Sequence, residues 1–254
     1  MERMLPYASE EERIEESRSY MDMIMMNLHN HSTFSDGIFP PEAIVKKAIS
    51  CGLNYVAITD HYMTRKARSM DNSELERYID EISRLKDEYS SEIKVLMGVE
   101  IDASRDRTNF DAIRYDLLNS MDFVLFEYVN DDLWEGMHLW ELFNIIQKIE
   151  VPSGLAHNDI SRNFREIDYD ALLNVLEDND IFVELSPSPR NSKFNRPYYR
   201  FAMEFFHALS RSDVMVSIGT DTHTNLDEVC LIKDAIAFIE EMRLENNLIT
   251  ERIG

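Results

Sequence analysis

Several short apolar runs in this 254-residue chain end in a residue that can bind a metal ion. MIMMNL runs into His29 and His31, YVAI leads to Asp60 and His61, KVLMGV to Glu100, SGLA to His157, and VMVSIG to Asp221 and His223. Five of the seven histidines sit at such junctions, so their placement follows the strands. A strand holds the side chain at its end rigidly at the mouth of a sheet or barrel, where groups distant in sequence can converge on one cation site. In His29-Asn30-His31 the two imidazoles are one residue apart and point to the same side of an extended chain, hence toward one ion. Asp36 returns from a loop that Gly37 helps to turn. Alone, His-x-His also fits two hydrogen-bonded core histidines; the Ser35-Asp36-Gly37 and Thr59-Asp60-His61 segments that follow favour a metal centre, and with it a metalloenzyme.

Such junctions need a scaffold whose strand ends meet. The chain alternates strand-like and helix-like windows, as a parallel sheet with crossover helices does. Strands are predicted at 23–29, 54–59, 93–99, 122–128, 151–156, 181–185 and 214–218. Between them, Pro40 and Pro41 open a helix that ends at Cys51, with Gly52 past its end. A cluster of Asp71, Asn72 and Ser73, with Glu76 three residues past Ser73, starts a helix over 72–90. Further helices are predicted at 110–119, 135–149, 168–178, 196–210 and 226–243. Seven strand and helix pairs give an α/β fold, a distorted seven-stranded (β/α)7 TIM-like barrel over residues 23–254, with an open doubly wound sheet as the alternative. Residues 1–22 read as an acidic helical extension anchored by Ile14 and Tyr20.

Charge narrows the partners. There are 26 Lys plus Arg against 48 Asp plus Glu, a formal net charge of −22, which repels long polyanions and disfavours nucleic acid. A small anionic substrate still fits a cleft whose acids are offset by bound cations. The two cysteines, Cys51 and Cys230, are too few for a disulfide framework and are expected to be reduced, packed thiols. No stretch approaches a membrane span and the amino terminus is acidic, so a cytoplasmic protein is expected.

The segments HNHSTFSDG at 29–37, AITDH at 57–61, GVEID at 98–102, LAHND at 155–159 and GTDTH at 219–223 resemble, in order and spacing, the PHP family, the polymerase and histidinol phosphatase superfamily of metal-dependent phosphoesterases. The resemblance covers about residues 24–240. It implies a seven-stranded barrel, two or three divalent ions (Zn, Mn or Fe), and hydrolysis of a small phosphate ester as a phosphatase or phosphodiesterase. Carried onto this chain, it implies that His29, His31, Glu100 and Asp221 hold a first ion, His157 and Glu100 a second, and Asp36, His61 and His223 a third. Asp36, His61 and His223 are also the candidate catalytic groups, since a protonated His or Asp there would assist a leaving alkoxide. Imidazoles suit Zn and Fe, while carboxylates bridge ions and admit Mn.

The chain departs from the family pattern after its fourth strand. A histidine is expected there, yet the segment reads Asp122-Phe-Val-Leu-Phe-Glu127-Tyr-Val-Asn130. Glu127 is read equally as a ligand or as a hydrogen-bonding group, with Asn130 and His138 as other substitutes. Asp60 is expected to orient an imidazole, Asp102 to accept hydrogen bonds in a loop, and Glu184 to line the site. Arg162 and Arg190 are the candidate phosphate donors, ahead of Arg165 and Arg196. Cleavage of an amide or carboxylic ester, a non-catalytic metal-binding barrel, and nucleic-acid processing are the competing readings.

Overall fold

The computed structural model describes residues 25–253, so the expected amino-terminal helix lies outside the described residues. Seven parallel strands run in sequence order: β1 (Met26–Asn27), β2 (Tyr55–Ile58), β3 (Lys94–Asp102), β4 (Phe123–Glu127), β5 (Ser153–Leu155), β6 (Ile181–Leu185) and β7 (Val216–Ile218). The last strand returns to the first. Leu28 N–H donates to the Ile218 carbonyl at 2.7 Å, Asp221 N–H to that of His29 at 2.9 Å, and His31 N–H to that of Thr222 at 2.9 Å. The sheet is thereby rolled into a nearly closed, distorted seven-stranded barrel, and the open-sheet alternative is set aside.

Every residue of β3 from Val95 to Asp102 is buried, as a strand covered on both faces requires. The longest helix among the described residues, Asn72–Glu88, packs against β3 through Leu75, Tyr78, Ile82 and Leu85, spaced to form one apolar face. Each such side chain contributes roughly 1.5–3 kcal/mol by leaving water. Tyr78 also carries a polar duty: its hydroxyl lies 2.6 Å from the Ile58 carbonyl and 2.7 Å from that of Gly98, satisfying backbone between β2 and β3 just below their chemical ends. The Asp71 carboxylate caps this helix, accepting from Ser73 N–H at 2.8 Å and Glu74 N–H at 3.1 Å; the expected Ser73/Glu76 pairing is not used.

Other helices are shorter than the apolar pattern predicts. The 226–243 window splits into a 3₁₀ turn at Leu226–Cys230 and a helix at Lys233–Met242. A buried side chain explains the break: Asn27 Nδ2 donates to the Val229 carbonyl at 3.0 Å, diverting an acceptor that a continuous helix would use. The 110–119 window likewise forms a 3₁₀ turn at Phe110–Ala112 and one short helix at Tyr115–Leu118.

One expectation is overturned. Cys51 and Cys230 are joined as a disulfide, not held as free thiols. Cys51 caps the helix Pro41–Ser50, which packs against the 3₁₀ turn that ends at Cys230, so barrel closure brings together residues 179 apart in sequence, with Cα atoms 5.8 Å apart. Among the described residues, no helix is long and apolar enough to cross a membrane.

Candidate metal centre

The strand registers bring the chemical residues to the carboxyl rim of the barrel. His61 and Glu100 are paired in parallel register beyond β2, so the residue that follows one strand lies beside the carboxyl end of the next. There His29 Nε2, His31 Nε2, Glu100 and Asp221 Oδ1 converge. His31 Nε2 lies 3.0 Å from His29 Nε2, 3.3 Å from Glu100 Oε2 and 3.3 Å from Asp221 Oδ1. His29 Nε2 lies 3.4 Å from Glu100 Oε1 and 3.7 Å from Asp221 Oδ1. Donors bound tetrahedrally at about 2.0–2.1 Å stand about 3.3 Å from one another; His29, His31 and Glu100 lie close enough together to hold one ion, and Asp221 adjoins them in a group with His29 and His157.

A second set lies beside it. Asp36 Oδ1 is 3.2 Å from His223 Nε2, 3.7 Å from His61 Nε2 and 3.9 Å from His31 Nδ1. Glu100 sits between the sets and a further group: its Oε1 is 3.0 Å from His157 Nε2 and its Oε2 is 3.1 Å from His61 Nδ1. Asp36 Oδ1, His61 Nδ1 and Glu100 Oε2 are buried with no hydrogen-bond partner among the described residues. Buried polar atoms without partners are costly; Asp36 Oδ1 faces the His223 and His61 imidazoles, and His61 Nδ1 and Glu100 Oε2 face each other at 3.1 Å.

Surrounding residues hold these donors in place. Glu184 Oε1 is 2.8 Å from His29 Nδ1, which turns Nε2 toward the cluster, while its Oε2 accepts from His157 N–H at 2.6 Å. A Cβ on Gly219 would fall 1.8 Å from Glu184 Oε1 and 2.4 Å from His29 Cβ, so only glycine fits there. Asp60 behaves differently from expectation. It contacts no imidazole and accepts four bonds from the turn after the first motif: from Ser32 N–H (2.7 Å) and Oγ (2.6 Å), and from Ser35 N–H (2.9 Å) and Oγ (2.5 Å). Ser35 Oγ lies 3.3 Å from His31 Nδ1, so Asp60 acts on that ring through a serine. His157 and Asp221 have φ of 31° and 54°, left-handed backbone that turns both side chains inward at a cost of order 1–3 kcal/mol each.

The electrostatics follow from burying acids among imidazoles. Burial pushes the Glu100 carboxyl up, but His29 and His61 outweigh it and hold it well below the usual carboxylate range. Asp36 is opposed by burial yet lowered to about 2 by the His223 imidazole 3.2 Å away and by the neighbouring His31 and His61. Burial opposes charge on His157, and the bond to Glu100 overcomes it, raising this imidazole to about 9.

A cleft of about 470 Å³ opens above, lined by Asp36, Glu127, His157, Arg162, Arg190 and Trp134 among others. Arg162 is paired with Asp131, and Arg190 donates to the Asp221 carbonyl and to Glu228 Oε2 at 3.1 Å, so both guanidiniums already have anionic or carbonyl partners at the cleft wall. Arg165 and Arg196 do not line this cleft. Of the substitutes for the missing histidine, Asn130 fastens a loop, accepting from Leu139 N–H at 2.9 Å, and His138 lines a neighbouring cavity. Glu127 does face the site, with Oε1 3.8 Å from His61 Nδ1 and Oε2 4.0 Å from His157 Nε2. Asp102 is a loop acceptor, taking Arg107 Nε at 2.6 Å. Lys66, whose ammonium reaches Glu127, has no signature in the sequence, because a lysine inside TRKAR carries no periodic signal that separates it from a solvated charge.

The PHP domain profile matches residues 27–188, more than half of the chain. The chain is similar to the DNA polymerase/3'-5' exonuclease PolX of Bacillus subtilis, 28% identical over 215 residues; the match takes in 80% of this chain and 35% of PolX, so this chain spans about a third of that relative's length. Its fold is similar to that of a histidinol phosphate phosphatase from Lactococcus lactis, solved in complex with zinc, L-histidinol and phosphate, with a TM-score of 0.62, 19% identity, and coverage of 85% of this chain and 93% of that one. With the motifs, the barrel and the profile in agreement, this chain belongs to the PHP domain family.

Proposed function

We propose that this protein is a metal-dependent phosphoesterase that hydrolyses a small phosphorylated substrate. The observation that carries the reading is the convergence of adjoining His, Asp and Glu groups at one rim of the barrel, with Asp36 Oδ1, His61 Nδ1 and Glu100 Oε2 buried there and without a hydrogen-bond partner among the described residues. His29, His31 and Glu100, with Asp221 3.3 Å from His31, would hold one ion, Asp36, His61 and His223 another, and His157, 3.0 Å from Glu100, offers a third position. Divalent zinc, manganese or iron bound there would supply a hydroxide at neutral pH and neutralise phosphoryl oxygens.

The chain's own residues account for the rest. Arg190 and Arg162 stand at the wall of the cleft, where planar guanidinium donors suit phosphate oxygens. His223 Nδ1 donates to the Asp221 carbonyl at 2.9 Å, which presents Nε2, 3.2 Å from Asp36 Oδ1, to an ion at the cleft. Family membership supports hydrolysis, and the phosphate and histidinol bound to the Lactococcus protein support a small phosphomonoester. The net charge of −22 counts against a long polyanion, although the PolX relative keeps short oligonucleotides worth testing.

The experiment is a substrate panel of phosphomonoesters, phosphodiesters, oligonucleotides, amides and carboxylic esters, run with Mn²⁺ or Zn²⁺ and with chelator. Turnover of a small phosphoester that disappears with chelator, and falls by at least about 10³-fold in His31→Ala and Asp221→Ala, is the expected result. Turnover confined to amides or esters, or activity unchanged in both variants, would overturn the assignment.

A further inference from the structure

Glu127, at the end of β4, is buried beside Glu100 with its side chain 1% exposed. Two adjacent buried carboxylates require a counter-charge. His61, Glu100 and Glu127 together have the residue types and proximity of an ion site, so a third divalent cation is one candidate for that role. The described chain already supplies another. The Lys66 ammonium lies 2.6 Å from Glu127 Oε2, 2.8 Å from Oε1 and 2.9 Å from the Tyr128 hydroxyl. An ammonium has three protons, and these three acceptors use all of them. Both Glu127 oxygens are gripped by a fixed positive charge, so an ion ligated through Glu127 would sit within about 4–5 Å of a like charge in a low-dielectric cleft. Glu127 also approaches its neighbours less closely than the donors of the first set approach one another: it stays 3.8 Å from His61 and 4.0 Å from His157, against 3.0–3.7 Å. Lys66 comes from the loop after β2, and its backbone is tied by its N–H to Thr64 Oγ1 at 3.1 Å, which fixes the reach of the side chain.

We infer that Lys66 is a built-in cation that takes the third ion's place, so that the centre binds two divalent ions, at His29/His31/Glu100/Asp221 and at Asp36/His61/His223, and Glu127 ligates neither. The inference rests on the metal centre proposed above and gives it a stoichiometry. Glu127 serves as the counter-ion that holds the ammonium, and His157 remains a hydrogen-bond partner of Glu100.

The test counts ions on the full chain. Protein stripped with chelator is reloaded with excess Mn²⁺ or Zn²⁺, freed of unbound metal by gel filtration, and analysed by plasma mass spectrometry. Wild type is expected to carry two ions per chain, and Lys66→Met three. Glu127→Gln, which preserves shape and tests ligation should Lys66→Met fail to fold, is expected to keep two. Three ions in the wild type, two in a folded Lys66→Met, or loss of an ion in Glu127→Gln would overturn the inference while leaving the phosphoesterase reading intact. A wild type that holds fewer than two ions would sink the metal centre itself.

Discussion

At the scale of single residues, the centre is a contest between protons and metal. Burial opposes positive charge on His29, His157 and His223, yet the neighbouring carboxylates raise all three above their ordinary value, His157 to about 9. A raised imidazole stabilises the fold fully below its unfolded value near 6.5, and that contribution is lost as pH climbs through the folded value. Metal-free protein is therefore expected to melt at progressively lower temperature between pH 6.5 and about 9. Ligating imidazoles carry no such proton, so the metal-loaded protein should show a flatter profile over the same range. Thermal melts of both forms across that window check this, and a metal-free curve with no slope would contradict the arrangement of charges.

At the scale of elements, the account turns on where strands stop. The metal-binding motifs were legible because each follows an apolar run, and β2, β4 and β6 lie within a residue or so of their expected limits. What stayed hidden depends on contacts between distant segments. Asn27 reaching Val229 breaks the last helical window, Cys51 meets Cys230 through barrel closure, and Lys66 finds Glu127 across 61 positions. No periodicity in a single segment encodes such meetings. Gly219, just past β7, shows how tightly the element ends must fit. Gly219→Ala would push a methyl group into Glu184 and His29, and is expected to weaken Mn²⁺ binding about 10–100-fold by disturbing the support of His29. Calorimetric titration of the stripped variant tests this; an unchanged affinity would show that Glu184 does not position the ring.

At the scale of the whole molecule, an acidic chain of formal net charge −22 gathers five of its seven histidines at one rim of its barrel and leaves room for cations there. The fold and family were visible in the sequence because the same residues that build the strands also punctuate them with ligands. The reaction follows only if those ligands bind. Anomalous diffraction at the zinc edge, on crystals of the zinc-loaded protein, tests this most directly. The account expects one peak about 2.0–2.2 Å from the donor atoms of His29, His31, Glu100 and Asp221, and another among Asp36, His61 and His223. A cleft with no anomalous signal, its imidazoles and carboxylates bonded only to one another or to water, would contradict it.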